Sequence, residues 1–147
     1  MTRIWSKAYA AQDALLVLLQ DVTALADWHV DYGLPLARTE LECWIDEQVA
    51  PQFAEVVSGY SGGDVKFTVR IWLYAKKTGT TAMEIRGELE DAADGIEAAI
   101  AADVTLGRAV MQAIITSSEY DSGIADAEAR SRDAAMTIDV ECTGFVG

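Results

Sequence analysis

The sequence predicts an α+β fold: a mixed, mainly antiparallel sheet with two amphipathic helices packed on one face. Three observations predict it. Apolar residues recur at helical spacing over 8–26 and 81–102, they alternate with polar residues over 64–75 and 132–143, and Gly- or Pro-bearing stretches separate these segments. A helix with one apolar stripe and a strand with one apolar face must bury them against each other. The chain has 147 residues, enough for a substantial core, and we assign 1–147 to one domain.

The first helix is predicted over Ala8–Ala26, with Ala11, Leu15, Leu18, Leu19, Val22 and Leu25 on one stripe. Asp27–Tyr32 alternates and carries aromatic and β-branched residues, which suits a short strand ended by Gly33 and Pro35. Glu40–Asp46 reads as a second strand. Pro51 argues against a central strand running through it, so Gln52–Ser58 is read as a separate third strand. Gly59, Gly62 and Gly63 mark a tight turn.

Asp64–Ala75 is the clearest strand, with Val65, Phe67, Val69, Ile71 and Leu73 on one face and Lys66, Thr68, Arg70, Trp72 and Tyr74 on the other. It should form a hairpin with Gln52–Ser58. Lys76–Thr80 reads as a loop. Thr81 and Glu84 have the spacing of a capping box, opening a helix to about Ala102. Its core stripe is Ile85, Leu89, Ala92, Ala93, Ile96 and Ile100. Glu90 and Asp94 repel on its solvent side, so packing has to hold it. Asp103–Gly107 is a compact turn. Ala109–Tyr120 alternates loosely and is read as a strand, followed by a polar linker through Ala129. The last strand runs from about Arg132 to Thr143, with Ala134, Met136, Ile138, Val140 and Cys142 on one side.

Eleven Lys and Arg against twenty-four Asp and Glu leave a net charge of −13. Nucleic acid is gripped mainly by Lys and Arg, so this surface is not expected to hold DNA specifically. No apolar run reaches the roughly 18 residues that would span a bilayer. Gln12 and Asp13 break the N-terminal apolar pattern, so we expect no signal peptide, no membrane and synthesis in the cytoplasm.

We expect no enzyme, no catalytic residue, no metal and no cofactor. His29 is the single histidine, no serine sits on a nucleophile elbow, and Cys43 and Cys142 lack ligand spacing and read as buried free thiols. The glycines of 59–63 open no helix and so build no phosphate cradle. Two features point to assembly instead. Arg70, Trp72 and Tyr74 share the second face of the long strand, either as an ordinary partial cover or as an interface, since such residues are enriched where proteins meet. Arg108, Arg130 and Arg132 stand in an otherwise acidic chain, either as plain solubilising charges or to meet the acids of a neighbouring copy. These six are the candidate oligomer interface.

The order of elements resembles the tail terminator (tail completion) proteins of long-tailed bacteriophages. The carrying residues are the helix segment Ala14–Leu19, Tyr32-Gly33-Leu34-Pro35, Glu42-Cys43-Trp44-Ile45, the long strand Lys66–Leu73, and Glu128–Arg132 before Met136–Val140. Most specific is Asp103-Val104-Thr105-Leu106-Gly107, similar to the family's Asp-x-Thr-Leu-Gly-Gly turn, with Arg108 where a second glycine is usual. The resemblance implies a virion protein at the head–tail junction. It would form a homo-oligomeric ring, a hexamer, that caps the tail tube, ends its polymerisation and meets the head connector proteins. Tail tube protein and connector would be its partners, with DNA passing unbound through an acidic bore. The alternative is a small acidic adaptor or ligand-binding domain without enzymatic activity.

Overall fold

A computed structural model describes residues 3–35, 40–52, 63–124 and 131–146. The elements are α1 (Arg3–Gln20), a 3₁₀ turn (Thr23–Leu25), β1 (His29–Tyr32), β2 (Leu41–Gln52), β3 (Gly63–Thr78), α2 (Ala82–Ala102), β4 (Gln112–Ile124) and β5 (Ser131–Val146). The strands form one five-stranded sheet in the order β1-β2-β3-β5-β4. β1 runs parallel to β2, and every other neighbouring pair is antiparallel. The fold is therefore α+β with a mixed, mainly antiparallel sheet, as the periodicities require.

The alternation along β3 builds the core. Val65, Phe67, Val69, Ile71 and Leu73 are buried, as are Ala134, Met136, Ile138, Val140 and Cys142 beside them on β5. Ala8, Ala11, Leu15 and Leu19 of α1 and Ile85, Leu89, Ala92, Ile96 and Ile100 of α2 close over that face. Thr81 caps α2, its Oγ1 accepting from the Glu84 amide at 3.1 Å. Gly95 lets α2 approach the 3₁₀ turn, because a Cβ there would stand 2.6 Å from Ala24 Cβ.

Several expectations are corrected. α1 ends at Gln20, and Val22 and Leu25 are buried through the 3₁₀ turn rather than through a continuing helix. Leu18 is only half-buried and edges a cleft between α1 and α2, while Leu15 and Leu19 carry the seal. β2 runs unbroken through Pro51 to Gln52, where the sequence suggested a break. Past Ile45 it has no β1 partner among the described residues, so it runs there as an edge segment, where proline is tolerated. β3 continues to Thr78, through residues read as a loop.

β4 runs on to Ile124, and its loose alternation has a cause. Thr116 is bulged out between the Ile115↔Val140 and Ser117↔Asp139 pairs, so Ile115 and Ser117 fall on opposite faces. The expected Gln52–Ser58 strand from Phe53 onward, the glycines at 59 and 62, and the end of the linker from 125 lie outside the described residues.

Leu89→Ala should cost about 2–5 kcal/mol and Leu18→Ala less than about 2 kcal/mol, because only the first empties a sealed site. Urea denaturation of the two variants checks this. A Leu18 cost matching that of Leu89 would contradict the helix faces described.

Candidate functional site

The second face of the sheet carries no helix among the described residues. Its centre is built by register. Trp44 on β2 pairs with Trp72 on β3, and their rings stack with centroids 5.8 Å apart and planes 8° from parallel. One residue pair further, the Arg70 guanidinium lies 5.9 Å from the Trp72 ring centre. Arg70 also grips Asp139 of β5 in a fork, Nε donating to Oδ1 at 2.8 Å and Nη2 to Oδ2 at 3.2 Å. Ser117 of β4 donates to Asp139 Oδ2 at 3.0 Å. A polar and aromatic ladder thus crosses four strands.

The fork holds both partners ionised. Its hydrogen bonds keep the Asp139 carboxyl below the usual carboxylate range and raise the Arg70 guanidinium above its ordinary value, in each case against the opposing effect of burial.

A bulge in β2 sets what lies next to the tryptophans. Asp46, Glu47 and Gln48 stand opposite the single residue Arg70 between the Ile45↔Ile71 and Val49↔Val69 pairs. Asp46 folds this bulge, its Oδ1 accepting from the Gln48 amide at 3.0 Å and its Oδ2 from Trp72 Nε1 at 3.3 Å. From the core side, buried Gln12 of α1 donates to the carbonyls of Asp46 at 2.9 Å and Glu47 at 3.3 Å. Gln12 therefore fixes the bulge. In the sequence it reads only as a break in an apolar run, and no periodicity distinguishes the two roles. The result is a groove of about 620 Å³ lined by Leu34, Trp44, Trp72 and Tyr74, with Asp46 and Glu47 beside them.

The six candidate residues divide among surfaces. Arg70, Trp72 and Tyr74 stand together on this face, with Tyr74 Oη donating to Asp133 at 3.2 Å. Arg132 lies across from Lys77 at the end of the sheet, on the side where Lys77 meets Glu88 of α2. Arg130 lies outside the described residues. Arg108 is exposed on the α2–β4 turn.

That turn explains its motif. The Asp103 carboxylate accepts from Thr105 Oγ1 at 3.2 Å and from the Gly107 amide at 2.9 Å, and Thr105 Oγ1 accepts from the Arg108 amide at 3.2 Å. Leu106 is the buried anchor. Leu106, Gly107 and Arg108 have φ of 48°, 66° and 73°, all left-handed. At Gly107 this conformation is unstrained, but for a residue with a Cβ it costs about 1–2 kcal/mol. Arg108 thus occupies a position that glycine would fill without strain.

His29 is exposed and lies 3.3 Å from Asp31, on the same short strand. Burial pushes the Cys43 and Cys142 thiols up to about 12, so neither supplies thiolate near neutral pH. Both are free. Among the described residues no three His, Cys, Asp or Glu side chains gather as a metal site, and no helix is long and apolar enough to cross a membrane. Stacked indoles flanked by carboxylates suit instead the binding of a cationic side chain.

Asp139→Asn should destabilise the fold by up to about 1 kcal/mol at pH 7, the range for a partly exposed pair. The Asp139 pKa is lowered in the folded state, so its contribution is present above the unfolded value of about 3.9 and is lost as pH falls through the folded one. Wild type and variant should therefore converge as pH falls below the unfolded carboxylate range in a stability–pH series; a gap constant with pH would refute the ion pair. Gln12→Leu should cost about 1–3 kcal/mol by stripping two bulge carbonyls of their donor, as read by urea denaturation. A neutral result would mean that water replaces it.

No family model matches this sequence, and no curated protein is similar to it. In three dimensions the chain is similar to one from the virion of a native gene transfer agent particle, with a TM-score of 0.51 and 13% sequence identity over 90% of this chain and 94% of that one. At that identity the likeness is one of fold.

Proposed function

We propose that this protein is a structural component of a phage-like virion that forms a ring on the end of the tail tube, ends tube polymerisation and joins the tube to the head connector. The observation that carries this reading is the fold likeness to a virion chain, which spans nearly the whole of both chains. The Asp103–Gly107 turn supports it, since its side-chain bonds account for the motif by which the sequence resembles tail terminators. Within this reading the chain does no chemistry of its own, takes no cofactor, and acts by contact with tube and connector. Its charge of −13 suits a wall past which DNA slides without binding. The groove over Trp44 and Trp72 favours a second reading, an adaptor or ligand-binding domain that works alone.

Ring formation brings strongly acidic subunits together, and salt screens that repulsion beyond about 8–10 Å. The dilute protein should be monomeric or weakly associated at low salt and form rings at higher salt or on tube ends. Light scattering across a salt series, with electron microscopy of tubes, reads both. Particles made without the protein should carry overgrown tubes without heads. Tubes of normal length joined to heads in its absence would refute the capping role.

A further inference from the structure

Arg108 combines three properties on one residue. Its backbone holds a left-handed φ of 73°, which glycine would adopt without strain, so what the position gains from arginine is the side chain. That side chain is exposed and bonds to no described residue, whereas Arg70 and Arg86 are engaged by Asp139 and Glu90. Its base is rigid: the amide of Arg108 is held by Thr105 and that of Gly107 by Asp103. A charged group presented from a fixed turn loses little freedom when it meets a partner.

The complementary surface is on the same molecule but out of its own reach. The groove with Trp44, Trp72, Asp46 and Glu47 lies on β2 and β3, on the face away from the helices. The Arg108 turn follows α2 on the helix side and leads into β4, at the other edge of the sheet. β2 and β4 are three strand spacings apart, about 14 Å, and the sheet itself stands between. A contact between the two surfaces must therefore join two copies, and it is head-to-tail, the kind that closes rings. The chemistry matches. A guanidinium packs beside aromatic rings and bonds to carboxylates, and setting a cation against acids offsets the repulsion between copies of a chain of net charge −13.

We infer that Arg108 of one copy inserts into the groove of the next that Trp72, Tyr74 and Glu47 line, beside the half-buried Trp72 ring and against Glu47. This rests on the ring reading and names its contact. The test measures self-association of the full chain by light scattering, at the salt and protein concentration where wild type assembles, together with the melting temperature. Arg108→Gly removes the guanidinium and relieves the backbone. It should raise Tm by about 2–4 °C while raising the concentration needed for assembly about tenfold or more. Arg108→Glu should weaken assembly further, and Glu47→Arg placed in that variant should restore it. A purely structural role for the turn predicts higher Tm with assembly unchanged. Wild-type assembly by both Arg108 variants, or failure of Glu47→Arg to restore any, would overturn the contact and leave the ring reading standing. A wild-type chain that stays monomeric at every salt and on tube ends would overturn both.

Discussion

The apolar seal over β3 and β5 is the constraint on which the other features depend. Both strands bury every second side chain under α1 and α2. Because side chains alternate across a strand, burying one set fixes the other set on the opposite face. Trp72, Arg70 and Tyr74 are therefore where they are because Ile71, Val69 and Leu73 are sealed. A one-residue slip of β3 against its neighbours would exchange the two sets, placing Arg70 in the core and Val69 in solvent, at a cost no marginally stable domain sustains.

Two irregularities then adapt this regular frame. The bulge in β2 inserts two residues beyond a one-to-one pairing, so Ile45 and Val49 remain on the core face while Asp46 and Glu47 are moved beside the tryptophans. Gln12 holds it from the core side, which couples the acidic rim of the groove to the packing of α1. The α2–β4 turn does the comparable work at the other edge. It reverses the chain through three left-handed residues, stabilised by side-chain bonds from Asp103 and Thr105 rather than by glycine alone.

Much of this was legible in the sequence. The two faces of β3, the stripe of α2, the Thr81 cap and the faces of β5 all follow from periods of 2 and 3.6 that no neighbour disturbs. The misreadings occur where a local rule depends on sheet position. Pro51 breaks a central strand but not an edge segment, and whether β2 has a partner on that side depends on where β1 ends. Thr116 blurs β4 because a one-residue bulge inverts the alternation midway. Leu18 sits on the predicted stripe, yet α1 and α2 diverge there and leave it at the edge of a cleft of about 840 Å³. At the candidate site Arg70, Trp72 and Tyr74 were readable as one face. The stacking of Trp44 on Trp72 was not, because it needs the β2–β3 register. Nor was the splitting of the arginines among surfaces, which follows from the strand order β3-β5-β4.

That splitting bears on how a strongly acidic chain could associate. A two-fold contact through the open face would bring the Asp46 and Glu47 carboxylates of both copies into one interface. A head-to-tail contact sets unlike patches together and can match a cation from one edge to carboxylates from the other. A sheet with helices on one side, an acid-flanked aromatic groove on the other and, at the far edge, an arginine that bonds to no described residue is polar from edge to edge. The exposed outer edge of β4 carries Glu119 and Asp121, charges that discourage strand-to-strand pairing with another copy. With edge pairing disfavoured, any contact between copies would rest on side chains, its strength set by how well a few charged and aromatic groups fit rather than by backbone hydrogen bonds.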